Sequence, residues 1–325
     1  MNNVRYIFEA KKFSIEKKDE KVDQNKDSVD FNMNNGLFCV SDGVSGDSFS
    51  GIWSRLIVSN FMKNPFVTND VKLPSWIGPV QLEWYHQIPW QEMRLKNEFQ
   101  NTEKAYLGAG ATFLGGHILR INKQIILKTW AIGDCNLFII RNRDCIFSFP
   151  LDDFKKFGIH PDRLLSISSK ISDKIENKIE NKIENKIENK IENKIENKID
   201  GKTEDKFSSS IGSFIFKEFN LQKDDIIIAG SDAISEWFLK NCLNLNDQPW
   251  IELCNLNNID EFRTWVKDKR DSKNIKNDDS TLLIIKISEI NICKKCEKEK
   301  NSFTDESCKC GIKIINNLKF LFKKK

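Results

Sequence analysis

Three aspartates stand where apolar runs meet turns, and such acids can hold a hard divalent cation. The stretch Asn35 to Gly46 opens with the turn pair Asn35-Gly36. It continues through Leu37-Phe38-Cys39-Val40 and stops at Ser41-Asp42-Gly43. A buried strand ending in an acid and a glycine delivers a carboxylate to the rim of a core. The glycine lets the backbone approach whatever the acid holds. The same arrangement recurs over Asp225–Asp232, where Ile226-Ile227-Ile228-Ala229 ends on Ser231-Asp232. At Asp278-Asp279-Ser280-Thr281 the acids come first and the strand Leu282-Leu283-Ile284-Ile285 follows. Mg2+ and Mn2+ prefer oxygen ligands, so Asp42, Asp232 and Asp278 form a candidate metal set if the fold brings them together.

Apolar periodicity outlines the elements that would position these acids. Strands are expected at 4–9 and 36–41, with a polar loop containing Asp23–Ser28 between them. A helix is expected over 48–63, capped by Ser48 or Ser50, with Ile52, Leu56, Ile57 and Phe61 on one side. Pro65, Pro74, Pro79 and Pro89 break the next region, and a helix follows at 91–107. Strands at 111–120, 124–132 and 136–141, joined by short links, read as an antiparallel meander. Beyond residue 206 the pattern gives strands near 213–219 and 226–230, helices at 234–239, 250–254 and 259–266, and a closing strand at 282–287. Strand clusters separated by helices indicate sheets sandwiched by helices.

The chain has 325 residues, 39% of them hydrophobic, enough for one large core or two modest ones. Its net charge of +4, from 51 basic and 47 acidic residues, argues against a dedicated nucleic-acid binder. No apolar run approaches the roughly 18 residues of a membrane span, and no secretory apolar segment follows Met1. A cytoplasmic location and reduced cysteines are therefore expected. Composition changes abruptly at 170–205, where KIEN repeats six times from Lys174 to Asn197. A four-residue repeat drifts about 40° per copy on a helix, so its isoleucines define no stable face. Lys also meets Lys, and Glu meets Glu, at i,i+4. The segment reads as a solvated insertion without catalytic geometry.

In chain order the pattern resembles the metal-dependent PPM (PP2C-type) protein phosphatases. The matching pieces are Asn25-Lys26-Asp27, Val40-Ser41-Asp42-Gly43, Gly110-Ala111-Thr112, Gly133-Asp134-Cys135, Ser231-Asp232-Ala233 and Asp278-Asp279-Ser280-Thr281. The resemblance covers about residues 4–288 apart from the repeat. It implies an α+β fold, a four-layer α-β-β-α sandwich of two mainly antiparallel sheets flanked by helices. The phosphatase domain would run over 1–169 and 206–288. Two Mn2+ or Mg2+ ions, with a third at a weaker position, would lie at one end of the sheets. Asp42 would bridge two ions with help from the Gly43 carbonyl. Asp232 and Asp278 would each hold one, Asp27 would act through metal-bound water, and Asp134 would serve the additional position. Asp42, Asp232 and Asp278 would thus be catalytic through metal-bound water, which attacks a phosphomonoester without a phosphorylated enzyme intermediate. The implied substrate is a phosphorylated Ser/Thr protein within a kinase signalling pair.

The sequence departs from the family pattern at Lys26, where an acid is usual, at Val22, where a phosphate-binding arginine is usual, and at Ala233 for glycine. Lys21 is adjacent, but lysine lacks the bidentate fork of arginine. Lys26 and Val22 favour an alternative: a catalytically weak or inactive PP2C-like module that binds a phosphoprotein or signalling partner. The tail, 289–325, carries Cys293, Cys296, Cys308 and Cys310, a candidate tetrahedral site for structural Zn2+. Its end, from Lys313, mixes lysines with apolar residues and reads as a helix packed on its own domain or as a frayed tail.

Overall fold

The computed structural model describes residues 3–96, 99–121, 124–158, 161–167, 214–242 and 247–292. The strands are β1 (Asn3–Ile15), β2 (Ser28–Asn32), β3 (Leu37–Ser41), β4 (Gly110–Ala111), β5 (Phe113–Ile121), β6 (Gln124–Ile132), β7 (Asn136–Arg141), β8 (Asp144–Phe149), β9 (Leu164–Leu165), β10 (Ile215–Leu221), β11 (Ile226–Gly230) and β12 (Ser280–Ile292). The helices are α1 (Ser50–Lys63), α2 (Leu73–Gln87), α3 (Trp90–Leu95), α4 (Phe99–Tyr106), α5 (Asp232–Cys242), α6 (Pro249–Cys254) and α7 (Ile259–Asp271). Two five-stranded antiparallel sheets form, in the orders β1-β12-β11-β7-β8 and β10-β6-β5-β3-β2.

Alternation along the strands produces four layers. Phe38 and Val40 of β3 face Leu114, Leu127, Ile139, Ile227, Leu283 and Ile285 in the core between the sheets. Leu37 and Cys39 of the same strand face the other way and pack with Trp53, Ile57 and Phe61 of α1 and with Trp84 of α2. On the second sheet, Ile228 and Ile284 face Trp237 and Phe238 of α5 and Phe262 of α7. Strands buried on both faces read as continuous apolar runs, as 37–40 and 226–229 do. Each fully buried Ile, Leu or Phe contributes about 1.5–3 kcal/mol relative to exposure.

Several expectations need correction. β6 and β7 do not pair as a meander: β6 lies between β5 and β10, whereas β7 lies between β11 and β8. The three-residue link Gly133–Cys135 therefore passes from one sheet to the other. α2 spans the region that its prolines were expected to break. Pro74 sits in its first turn, where a missing N–H costs little, and Pro79 lies inside it. Burial of Ile77, Val80 and Trp84 outweighs the proline penalty. The expected helix at 91–107 is two helices, α3 and α4. The cap of α1 is neither Ser48 nor Ser50 but Phe49, left-handed at φ 62. Ser50 lies inside the helix, and its hydroxyl donates to the Val44 carbonyl at 2.9 Å. β2, β8 and β9 arise from stretches too polar or too short to signal strands.

The chain on either side of the repeat shares one sheet, because β10 pairs with β6 from Ile215↔Ala131 to Leu221↔Ile125. The repeat segment and the four tail cysteines lie outside the described residues, and β12 runs on to Ile292, four residues into the stretch expected as tail. Among the described residues no helix is long and apolar enough to cross a membrane.

Candidate metal centre

Strand register brings the acids to one end of the sandwich. Ser28 of β2 pairs with Ser41 of β3, so Asp27 and Asp42 flank the same rung. Phe113 pairs with Ile132, which sets Gly133 and Asp134 at that end of β6. In the other sheet Asn136 pairs with Gly230 and Gly230 with Leu282, so Asp232 and Asp278–Asp279 lie just beyond the matching rungs. Two contacts tie the two sheets' loops together. The Ser45 hydroxyl donates to Asp278 Oδ1 at 3.3 Å, and the Lys26 N–H donates to Asp279 Oδ2 at 2.8 Å.

The local chemistry holds each acid differently. Asp42 follows β3, and its backbone is pinned to Thr112: the Thr112 N–H donates to the Asp42 carbonyl at 2.8 Å, and the Asp42 N–H donates to Thr112 Oγ1 at 3.2 Å. A Cβ on Gly43 would lie 2.8 Å from the Lys26 and Ser50 carbonyl oxygens, so only glycine fits there. Asn25 forms a turn, its Oδ1 accepting from the Asp27 N–H at 2.9 Å. Asp134 is buried and accepts from the Gly158 N–H at 3.1 Å. Asp232 is buried in the first turn of α5, where the helix dipole favours an anion.

The set is short of positive charge. Burial, then Asp279 and Asp232, push Asp27 up to about 8. The Ser231 and Thr281 hydroxyls oppose that shift. Ser231 Oγ also accepts from the Thr281 N–H, and Thr281 Oγ1 lies 2.7 Å from Ser14 Oγ. Both Asp27 carboxylate oxygens remain buried without a hydrogen-bond partner. Asp42 is raised well above the carboxylate range by burial and then by Asp27, Asp232, Asp134 and Asp278. Asp134 is raised by burial, against the Gly158 hydrogen bond and Lys276. Burial lifts Asp232 to about 6, opposed first by Lys276. Its Oδ2 accepts from the Lys276 ammonium, and its Oδ1 has no partner.

These features fit a divalent cation: oxygen donors, orphaned buried carboxylate atoms and a backbone cradle at Gly43. The acids are gathered within electrostatic reach but not drawn tight. Among the described residues no three His, Cys, Asp or Glu side chains form a closed ligand group.

Asp27, Asp42, Gly43, Asp134, Asp232 and Asp278 all lie at this end of the molecule. Lys26 does not point its ammonium at the acids; it donates to the Ser45 carbonyl at 2.6 Å. Val22 is 70% exposed. Cys293, Cys296, Cys308 and Cys310 lie outside the described residues. Sequence reasoning missed three participants. Asp279 is buried and accepts from the backbone N–H groups of Lys17 and Lys26 at 2.9 and 2.8 Å, fastening the Asp27 loop. Arg270 donates to the Asp278 carbonyl at 2.5 Å. Lys276 pairs with Asp232. Only the doubled acid at 278–279 offered any signal for these.

No protein-family profile matches the chain, and no curated protein sequence does. Several solved structures align with the chain over most of its length. The photosystem II phosphatase PBCP is 17% identical with a TM-score of 0.48, over 86% of this chain and 98% of that one. PppA, a key regulatory component of T6SS in Pseudomonas aeruginosa, is 15% identical with a TM-score of 0.46, over 88% and 100%. The catalytic domain of the serine threonine protein phosphatase PstP, in complex with two manganese ions, is 12% identical with a TM-score of 0.43, over 88% and 100%.

Proposed function

We propose that this chain is a metal-dependent serine/threonine protein phosphatase of the PPM type, hydrolysing phosphomonoesters with two Mn2+ or Mg2+ ions. One observation carries the reading: acids from strand ends of both sheets share one end of the fold, and buried carboxylate oxygens of Asp27 and Asp232 have no hydrogen-bond partner. Asp42 and the Gly43 carbonyl would hold the ions from one sheet, and Asp232 and Asp278 from the other. Asp27 would act through water, and Asp134 would serve a further position. When bound, such ions neutralise the phosphate dianion and lower the pKa of water enough for attack at neutral pH.

The chain's own residues set the geometry. Asp279 fixes the Asp27 loop, and Ser45 holds Asp278 against the loop that follows Asp42. A cysteine nucleophile is disfavoured: Cys135, beside Asp134, is fully buried, and burial followed by Asp42 drives its thiol well above its ordinary value. Its substrates would be proteins phosphorylated on Ser or Thr, with a kinase acting in opposition. The alternative, a PP2C-like module that binds a phosphoprotein without turning it over, is favoured by Val22, whose side chain offers phosphate no hydrogen bond.

Purified protein with Mn2+ is expected to release phosphate from phosphoserine and phosphothreonine peptides. Asp42→Asn and Asp232→Asn should each lower kcat/KM by about 100-fold or more, the scale of losing a metal-held electrostatic contact. Protein that leaves both p-nitrophenyl phosphate and phosphopeptides untouched would overturn the catalytic reading in favour of the binding module.

A further inference from the structure

Lys276 has no part in the phosphatase reading, yet its ammonium lies among that reading's ligands. It stands two residues before Asp278, on a turn anchored by the buried Ile275. It crosses to Asp232, 44 residues away in sequence, and forms an ion pair with Oδ2. Asp278 and Asp134 are its next charged neighbours. A Cβ on Gly158, whose N–H binds Asp134, would lie 4.0 Å from the ammonium. One cation thus contacts Asp232 and acts electrostatically on Asp278 and Asp134.

The other half of the site differs. The charged groups that act most strongly on Asp42 are four acids and no base. Both carboxylate oxygens of Asp27, which is 7% exposed, lack any hydrogen-bond partner. Lys26 is turned away to Ser45, and Arg270 binds the Asp278 carbonyl rather than a side-chain carboxylate. Positive charge is therefore supplied from within the chain on one side and lacking on the other.

We propose that Lys276 is a tethered cation occupying the half of the centre built by Asp134, Asp232 and Asp278. The chain accordingly binds one divalent ion readily at Asp27, Asp42 and Gly43, and a second only by displacing Lys276. This rests on the metal-dependent reading above. A tethered ammonium competes at high effective concentration. It can nonetheless leave, because its side chain is 31% exposed and lysine has a long flexible stem.

The test is a count of Mn2+ bound to metal-stripped full-length chain, read as loss of the free-ion signal in electron paramagnetic resonance. Wild type should bind one ion tightly. Lys276→Met should bind two, the second about tenfold or more tighter than in wild type, since a competing charge at contact range is gone. Lys276→Arg, which keeps the charge, should titrate like wild type. Far-UV circular dichroism checks folding. A Lys276→Met variant that folds only with Mn2+ also supports the proposal, the ion replacing the ammonium. Wild type that takes up two ions equally tightly overturns it, whether or not the variant folds. So does a folded Lys276→Met with unchanged stoichiometry and affinity. Both of those results leave the metal-dependent reading standing. Absence of Mn2+ binding in every protein instead removes that reading and the role of Lys276 with it.

Discussion

A buried carboxylate that accepts no hydrogen bond opposes folding as an anion, and Asp27 is such a group. Its pKa rises from 3.8 to about 8 on folding, first through burial and then through Asp279. The folded state therefore keeps a proton that the unfolded chain releases. Stability of the metal-free protein should fall as pH rises from about 4 to about 8 and stay low above that. Asp232, raised to about 6, acts in the same direction over the lower part of that window. Metal-free Asp27→Asn should melt at a higher temperature than wild type at pH 8, by the equivalent of several kcal/mol, up to about 5, and alike at pH 4. Thermal scans in EDTA at both pH values check this, and a variant no more stable at pH 8 contradicts it. At this scale the sequence was informative where chemistry is local. An acid after an apolar run, or Asn25 two residues before Asp27, is visible in one dimension. It was silent where a role depends on a distant partner. Asp278 and Asp279 are indistinguishable as letters. Yet one faces Ser45, while the other receives the N–H groups of Lys17 and Lys26. Lys26 read as a departure favouring a weak or inactive module, but its position in the turn sends the ammonium to Ser45.

The elements act through their ends, and the link from β6 to β7 shows how. It leaves one sheet, enters the other and carries Asp134 between them. Gly133 makes the crossing possible, with φ at +94, a region that side chains rarely tolerate. A Cβ there would lie 2.6 Å from Thr112 Cγ2 and 2.7 Å from the Asp162 carbonyl oxygen. Thr112 in turn holds the Asp42 N–H. Gly133→Ala should therefore cost about 1–3 kcal/mol of stability and also lower Mn2+-dependent activity about tenfold at a temperature where the variant is folded. Denaturant melts and phosphopeptide assays measure the two effects. Full activity in the variant would show that Thr112 and Asp134 tolerate the shift. Continuous apolar runs made β3, β11 and β12 legible, because strands buried on both faces need no alternation. The separation of β6 and β7 into different sheets was not legible, since a short link reads as a hairpin unless the sheet change is known. Nor was α2, where burial of Ile77, Val80 and Trp84 prevails over Pro79 inside the helix.

At the scale of the whole chain, two stretches separated by the repeat complete one sheet, since β10 pairs with β6 along seven residues. The sandwich as a class was legible from strand clusters and helices. Its sheet order was not, because pairing partners such as β10 and β6 lie far apart in sequence. Forty-six residues, 168–213, connect the flanking described segments, and the six KIEN copies from Lys174 to Asn197 account for 24 of them. If this connection acts only as a closed loop, its entropic cost grows with the logarithm of its length. Removing the six copies roughly halves it, so stability should rise by about 0.6 kcal/mol. The acids all lie on segments outside the connection, so Mn2+ stoichiometry and phosphopeptide turnover should match those of the full chain. Equilibrium unfolding and metal titration of the shortened protein test both points. A loss of more than about 1 kcal/mol would show that the repeat packs against the sandwich, because the loop-length effect alone has the opposite sign. Unchanged stability with altered turnover would instead place the repeat at the substrate, a role that its drifting isoleucine stripe and self-repelling charges do not support.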